Sequence, residues 1–181
     1  MIETPFKPIE IYSTIIEDND MAIEDYREIL DAFNQQGLIT DSDGVKTDYH
    51  AVEAFKYRLE TWANLCLDYL SDAMEDFAEN HAKDVLDYST IWTQITNKSN
   101  MHHPHSHGED GYSFVWYIDV DPEVHEPTYY LNPSPPYNYF KPKLEKGKLL
   151  IWPSWLLHYQ PPSNSDVDRY IISGNLKESI I

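Results

Sequence analysis

Cysteine is almost absent from this 181-residue chain. Cys66 stands alone, so no internal disulfide can form, and a reducing, cytoplasmic setting is expected. Glycine is scarce as well: the 6 glycines never cluster, which excludes loops that cradle phosphates or dinucleotides. Basic residues are few, 13 Lys and Arg against 31 Asp and Glu, for a formal net charge of -18. So acidic a surface repels phosphate backbones, and direct nucleic-acid binding is not expected. No apolar run approaches the ~18–20 residues that span a bilayer, so no membrane partner is expected. The first twenty residues lack the charged and apolar stretches of a signal peptide. No serine- or cysteine-nucleophile motif is present.

What remains is enough for one domain with a substantial core, 1–181. The first half reads as helical. Pro5 to Ile15 is a lead-in with a short strand around Ile9–Ile15. Asp18, Asn19 and Asp20 are N-cap residues, and Glu24 completes a capping box. Ile23, Tyr26, Leu30 and Phe33 then fall on one helical face, which Gly37 ends. A second helix near 50–80 carries a stripe of Val52, Phe55, Leu59, Trp62, Cys66, Tyr69 and Phe77, which makes Cys66 a core residue. After residue 88 the pattern turns to β-branched and aromatic runs: Tyr88–Thr96, Tyr112–Val120, Thr128–Leu131, Lys148–Trp152 and Arg169–Leu176. No helix separates them, so the sheet should be antiparallel. Residues 1–87 thus form mainly helical support and 88–181 a small β-sandwich or barrel.

Four of the 8 histidines, His102, His103, His105 and His107, fall within six residues. Alternate residues of an extended chain face one way, so His105 and His107 can aim at one point. His158, beyond the run from Gly147 to Trp152, is the candidate third ligand; imidazole suits Fe, Zn, Cu or Ni. The plain alternative is a surface histidine loop, with His102 and His103 as bystanders and His158 a packed residue. Arg169 opens a strand whose alternation puts Arg169, Ile171, Ser173 and Asn175 on one face. It is either a strand-end salt bridge or a guanidinium that holds a carboxylate at two points.

His105-Ser106-His107 followed by Ser113-Phe114-Val115-Trp116-Tyr117-Ile118 resembles the first metal-binding segment of the Fe(II)- and 2-oxoglutarate-dependent oxygenases, in particular their compact phage and bacterial members. Gly147 to Trp155, His158, and Arg169 to Leu176 follow that family's Gly-x-Leu, Phe-Pro-Ser-Trp, His, Arg and Asn-Leu series in order, and Ile91-Trp92-Thr93-Gln94 resembles the preceding strand. The resemblance spans roughly 90–177. It implies an α+β fold, with a double-stranded β-helix (jelly-roll) core and N-terminal helices packed on one sheet. It implies Fe(II) held by His105, His107 and His158, and 2-oxoglutarate held by Arg169 with Tyr117 as a further donor. It also implies O2 as oxidant, with hydroxylation of a small-molecule, peptide or protein substrate and release of succinate and CO2. Two positions depart from the pattern. His107 stands where the usual triad has a carboxylate, which Glu109 or Asp110 would supply if the loop folds back. Ile171 stands where relatives often carry a hydroxyl. Competing readings are a non-catalytic cupin-like metal-binding barrel, which gives Arg169 no role, a zinc-dependent hydrolase with Glu109 as base, and an interaction protein with incidental histidines. Substrate and oligomeric state are not legible.

Overall fold

The computed structural model describes residues 8–42, 45–82, 84–98, 100–134 and 138–179. The expected lead-in residues 5–7 and part of the aromatic Pro133–Tyr139 segment (135–137) lie outside that range.

Strand β1 (Tyr12–Ile15) is shorter than the expected Ile9–Ile15. Helix α1 (Asn19–Gln35) follows and buries Ala22, Tyr26, Leu30 and Phe33. The expected capping box does not form: Asp18 makes no side-chain cap bond. Asn19 is used for docking instead. Its Nδ2 donates to the Ile118 carbonyl at 2.8 Å, and its Oδ1 accepts from Trp116 Nε1 at 2.9 Å. The other end does close as expected, with Gly37 at φ 68 and Leu38 N–H bonded back to Phe33 at 2.9 Å. The hairpin β2 (Thr40–Ser42) and β3 (Val45–Thr47) was not anticipated in the helical half. A 3-10 turn, Val52–Ala54, leads into α2 (Phe55–Phe77), which ends in a π turn at Ala78–Ala82. Val52 in the 3-10 turn and Phe55 at the first position of α2 are exposed, while Trp62, Leu65, Cys66 and Leu70 are buried.

The remaining strands are β4 (Leu86–Thr96), β5 (His102–His105), β6 (Tyr112–Asp119), β7 (Tyr129–Leu131), β8 (Tyr139–Phe140), β9 (Lys148–Pro153), β10 (His158–Gln160) and β11 (Arg169–Glu178). They form a seven-stranded sheet, β1-β9-β6-β11-β4-β3-β2, and a four-stranded sheet, β5-β10-β7-β8, with antiparallel pairing throughout. This is the expected jelly-roll arrangement with both helices on one face of the larger sheet. Strand alternation sorts side chains between two cores. Phe114, Trp116, Ile118, Leu149, Ile151 and Ile172 face the helices. Val115, Tyr117, Leu150, Trp152 and Ile171 face the smaller sheet. The sheet strands are therefore near-continuous apolar runs, because both faces are covered.

One buried ion pair ties the hairpin to α2. Asp48 accepts from Arg58 Nη1 at 3.1 Å, from Trp62 Nε1 at 2.8 Å and from the Thr93 backbone N–H at 2.9 Å. Every strong bond of that carboxylate is met inside the protein, which is what makes a fully buried charge tolerable. Among the described residues no helix is long and apolar enough to cross a membrane.

Candidate metal centre and anion pocket

His105 and His158 are register partners on β5 and β10, so the smaller sheet sets two imidazoles side by side. His107 lies just past β5 and is anchored by its backbone N–H to the Ser154 carbonyl at 2.9 Å. The chain between His107 and β6 reverses at Gly111, whose φ of 79 and a 2.3 Å approach of Leu176 O to any added Cβ demand glycine.

His105, His107 and His158 each offer one ring nitrogen, and the three nitrogens lie within 4.8 Å of one another. Nδ1 of His105 is 2.7 Å from the His103 carbonyl, and Nδ1 of His158 is 2.9 Å from that of Leu156. A carbonyl can only accept, so both Nδ1 atoms carry the proton and both Nε2 lone pairs are free to ligate. Nε2 of His107 and Nε2 of His158 face each other at 3.3 Å, where a cation suits both. Burial pushes the His107 imidazole down to about 4 and that of His158 to about 3, so both are neutral near pH 7. Glu109 and Asp110 are exposed and do not join the group, and among the described residues no carboxylate completes it. The His102 ring lies tilted against His105 with centroids 4.0 Å apart but stays outside the group, and His103 is exposed.

Arg169 lies on the same cavity wall as the histidines. It is 1 % exposed and its Nε has no partner. Its one hydrogen bond among the described residues is a long one, 3.4 Å from Nη1 to the Glu126 carbonyl. The guanidinium sits 5.6 Å from the Tyr117 ring centroid, and burial lowers its pKa to about 10. A buried cation without a counter-charge is the costliest feature of this interior, and an anion from outside resolves it. Tyr117 is fully buried; its hydroxyl accepts the Thr128 backbone N–H at 2.8 Å and keeps its own proton to donate. Ile171 and Ser173 line the cavity beside Arg169, in line with the alternation of β11.

The inner cavity has only about 30 Å³ of free room, about one water's share of liquid volume. It shares Trp92, Gln94, His102, His105 and His107 with an outer cleft of about 560 Å³, bounded on its far side by Thr47, Tyr49 and His50. Trp92 stacks on His107 with centroids 5.7 Å apart. Sequence reasoning did not single out a site role for Trp92 or Gln94. The inward alternation of Trp92, Gln94 and Thr96 was the available signal. Of the other tryptophans, Trp152 lines the pocket, Trp116 is buried against the helices, and Trp155 is 44 % exposed.

Residues 90–175 match the model of a family described as putative 2OG-Fe(II) oxygenase. No curated protein matches the sequence. Several solved structures share the fold. A Pseudomonas putida prolyl-4-hydroxylase is 11% identical, with TM-score 0.63 and 94% of both chains covered. HygX of Streptomyces hygroscopicus, solved with nickel and 2-oxoglutarate, is 12% identical, with TM-score 0.67 over 96% of this chain and 84% of that one. A prolyl hydroxylase from Trichoplax adhaerens, in complex with a hypoxia-inducible-factor peptide, is 12% identical, with TM-score 0.63 over 93% and 83%.

Proposed function

We propose that the chain is an Fe(II)- and 2-oxoglutarate-dependent oxygenase that hydroxylates a peptide or small-molecule substrate, a reading supported by the match of residues 90–175 to a family model of such enzymes. In this reading His105, His107 and His158 hold Fe(II) through their Nε2 atoms, and Arg169 with Tyr117 binds the distal carboxylate of 2-oxoglutarate. The single observation that carries it is the juxtaposition of three convergent imidazoles with a buried, unpaired guanidinium on one cavity wall.

The donor set fits both groups. Neutral nitrogen ligands suit Fe(II), and the orphaned Arg169 Nε–H asks for an oxyanion. Bound Fe(II) with 2-oxoglutarate and O2 supplies the oxidation, in which the cosubstrate leaves as succinate and CO2. The chain's own contribution is placement. Carbonyl groups of His103 and Leu156 fix two imidazole tautomers, the buried Tyr117 keeps a protonated hydroxyl, and the inner cavity leaves room for little more than one water. A five-carbon diacid exceeds the free room of that cavity, so its entry requires side chains on the shared wall to retract toward the outer cleft. We assign the outer cleft to the substrate. The barrel-only and zinc-hydrolase readings leave Arg169 buried without a role, and the latter also needs a base that the exposed Glu109 does not supply.

The test is succinate formation from 2-oxoglutarate by purified protein with Fe(II) and ascorbate. Turnover that needs both and disappears in His158→Ala supports the assignment; Fe(II)-independent turnover, or none under any substrate extract, counts against it.

A further inference from the structure

A second cluster of aromatic side chains lies away from the histidines, at the end of α2. A pocket of about 280 Å³ opens there between the chain around β1, the π turn and the end of β9. Tyr12, Phe77, His81, Tyr112 and Trp155 line it, and Glu10 stands exposed at its rim. Of its wall only Trp152 is shared with the inner cavity, so the pocket is separate from the metal centre.

The rings hold one another in place. Tyr12 is 5.5 Å from Phe77 and 5.4 Å from His81, centroid to centroid, and Tyr112 meets Phe77 edge-on at 4.9 Å. The π turn stacks His81 on Phe77 at 5.8 Å. Phe77 is buried, whereas Trp155 stays 44 % exposed and open to a ligand. The charges that act on these rings are carboxylates. Asp76 accepts from the Tyr12 hydroxyl at 2.8 Å, and burial followed by that carboxylate pushes the Tyr12 phenol up to about 12. Burial, then Asp84 and Glu178, raise Tyr112. Among the described residues neither Lys nor Arg lines the pocket. Aromatic faces are themselves negative, so rings and acids together favour a cation.

The kind of cation follows from the hydrogen bonds. A primary ammonium gives up three bonds to water on entry and needs acceptors in return. Both oxygens of Asp76 are engaged, by Tyr12 and by Asn80 Nδ2 at 2.8 Å, and Glu10 lies 4.0 Å from His81 at the rim. A nitrogen that carries only carbon has no N–H to satisfy and presents apolar surface to the rings. We propose that this pocket binds a trimethylammonium group through its aromatic walls. The site depends neither on the oxygenase reading nor on a bound metal.

The experiment is calorimetric titration of the purified full chain with choline and with 3,3-dimethylbutan-1-ol, which has the same shape without the charge. Choline should bind about 10-fold more tightly than the alcohol, the share expected of a desolvated cation over aromatic faces. Trp155→Leu, a change at an exposed position, should weaken choline about 5-fold and leave the alcohol nearly unchanged. A peptide carrying trimethyllysine, titrated beside its unmethylated form, separates the sources of the group. A methylated peptide that binds more tightly than both its unmethylated form and choline makes the ligand a protein side chain; choline binding more tightly makes it a free small molecule. Equal affinity for choline and the alcohol, choline affinity unchanged in Trp155→Leu, or no binding of choline or methylated peptide at millimolar concentration overturns the proposal.

Discussion

Replacing Arg169 by Met separates stability from function in a way few other changes would. The guanidinium is 1 % exposed, and burial lowers its pKa from 12.5 to about 10. That difference corresponds to about 3 kcal/mol by which the folded, ligand-free protein disfavours the charge. The sign follows from the direction. A base whose folded pKa is depressed destabilises the fold at every pH below that value, and the penalty is relieved only as pH rises from about 10 to 12.5. At neutral pH it is fully present. Against it stand the cation–π contact with Tyr117 and one long hydrogen bond, together worth about 1 kcal/mol. Arg169→Met should therefore stabilise the ligand-free protein by about 1–3 kcal/mol, a rise of roughly 3–8 °C in Tm for a chain of this length. The parent, but not the variant, should gain further stability when 2-oxoglutarate is added with Mn(II). Differential scanning calorimetry of the two proteins with and without ligand reads both effects. A variant that is less stable than the parent, or that is still stabilised by 2-oxoglutarate, would refute the reasoning.

Four further outcomes follow from the same geometry. His158→Ala should abolish stoichiometric metal binding, read by metal analysis after dialysis, because two imidazoles rarely hold an ion alone. Acid should weaken the ligand-free fold from pH 6.5 down to about 4: the unfolded chain takes up protons that the buried His107 and His158 refuse, at up to about 1.4 kcal/mol per pH unit for each. A urea midpoint that is unchanged between pH 7 and pH 5 would contradict this. Arg58→Met should cost about 3–5 kcal/mol, since it strands the Asp48 carboxylate in a fully buried position, and a denaturant titration measures it. Gly111→Ala should lower Tm by several degrees and loosen metal retention, because its Cβ would sit 2.3 Å from Leu176 O at a φ of 79.

The candidate site residues could be brought together from the sequence because they follow strand alternation. His105 and His107 two apart, and Arg169, Ile171 and Ser173 along β11, needed only a period of two to share a cavity. What was not legible depends on contacts between distant segments. Asn19 reads as a cap, yet its amide is worth more between Ile118 and Trp116, where it satisfies two buried groups. The Asp48–Arg58 pair, 10 residues apart, looks like ordinary surface charge until Trp62 and Thr93 close around it. The short strands β5, β8 and β10 are too brief to show a period, so His158 could be placed beyond β9, as it is, but not seen to open a strand of its own.

The central claim, a metal and a diacid bound side by side, is tested most directly by anaerobic absorption spectroscopy of the protein with Fe(II) and 2-oxoglutarate. A weak visible charge-transfer band that needs both additions, and that is lost in His158→Ala and in Arg169→Met at ordinary cosubstrate levels, is the predicted result. Fe(II) binding with no band on addition of 2-oxoglutarate, or a band that survives both substitutions, would contradict it.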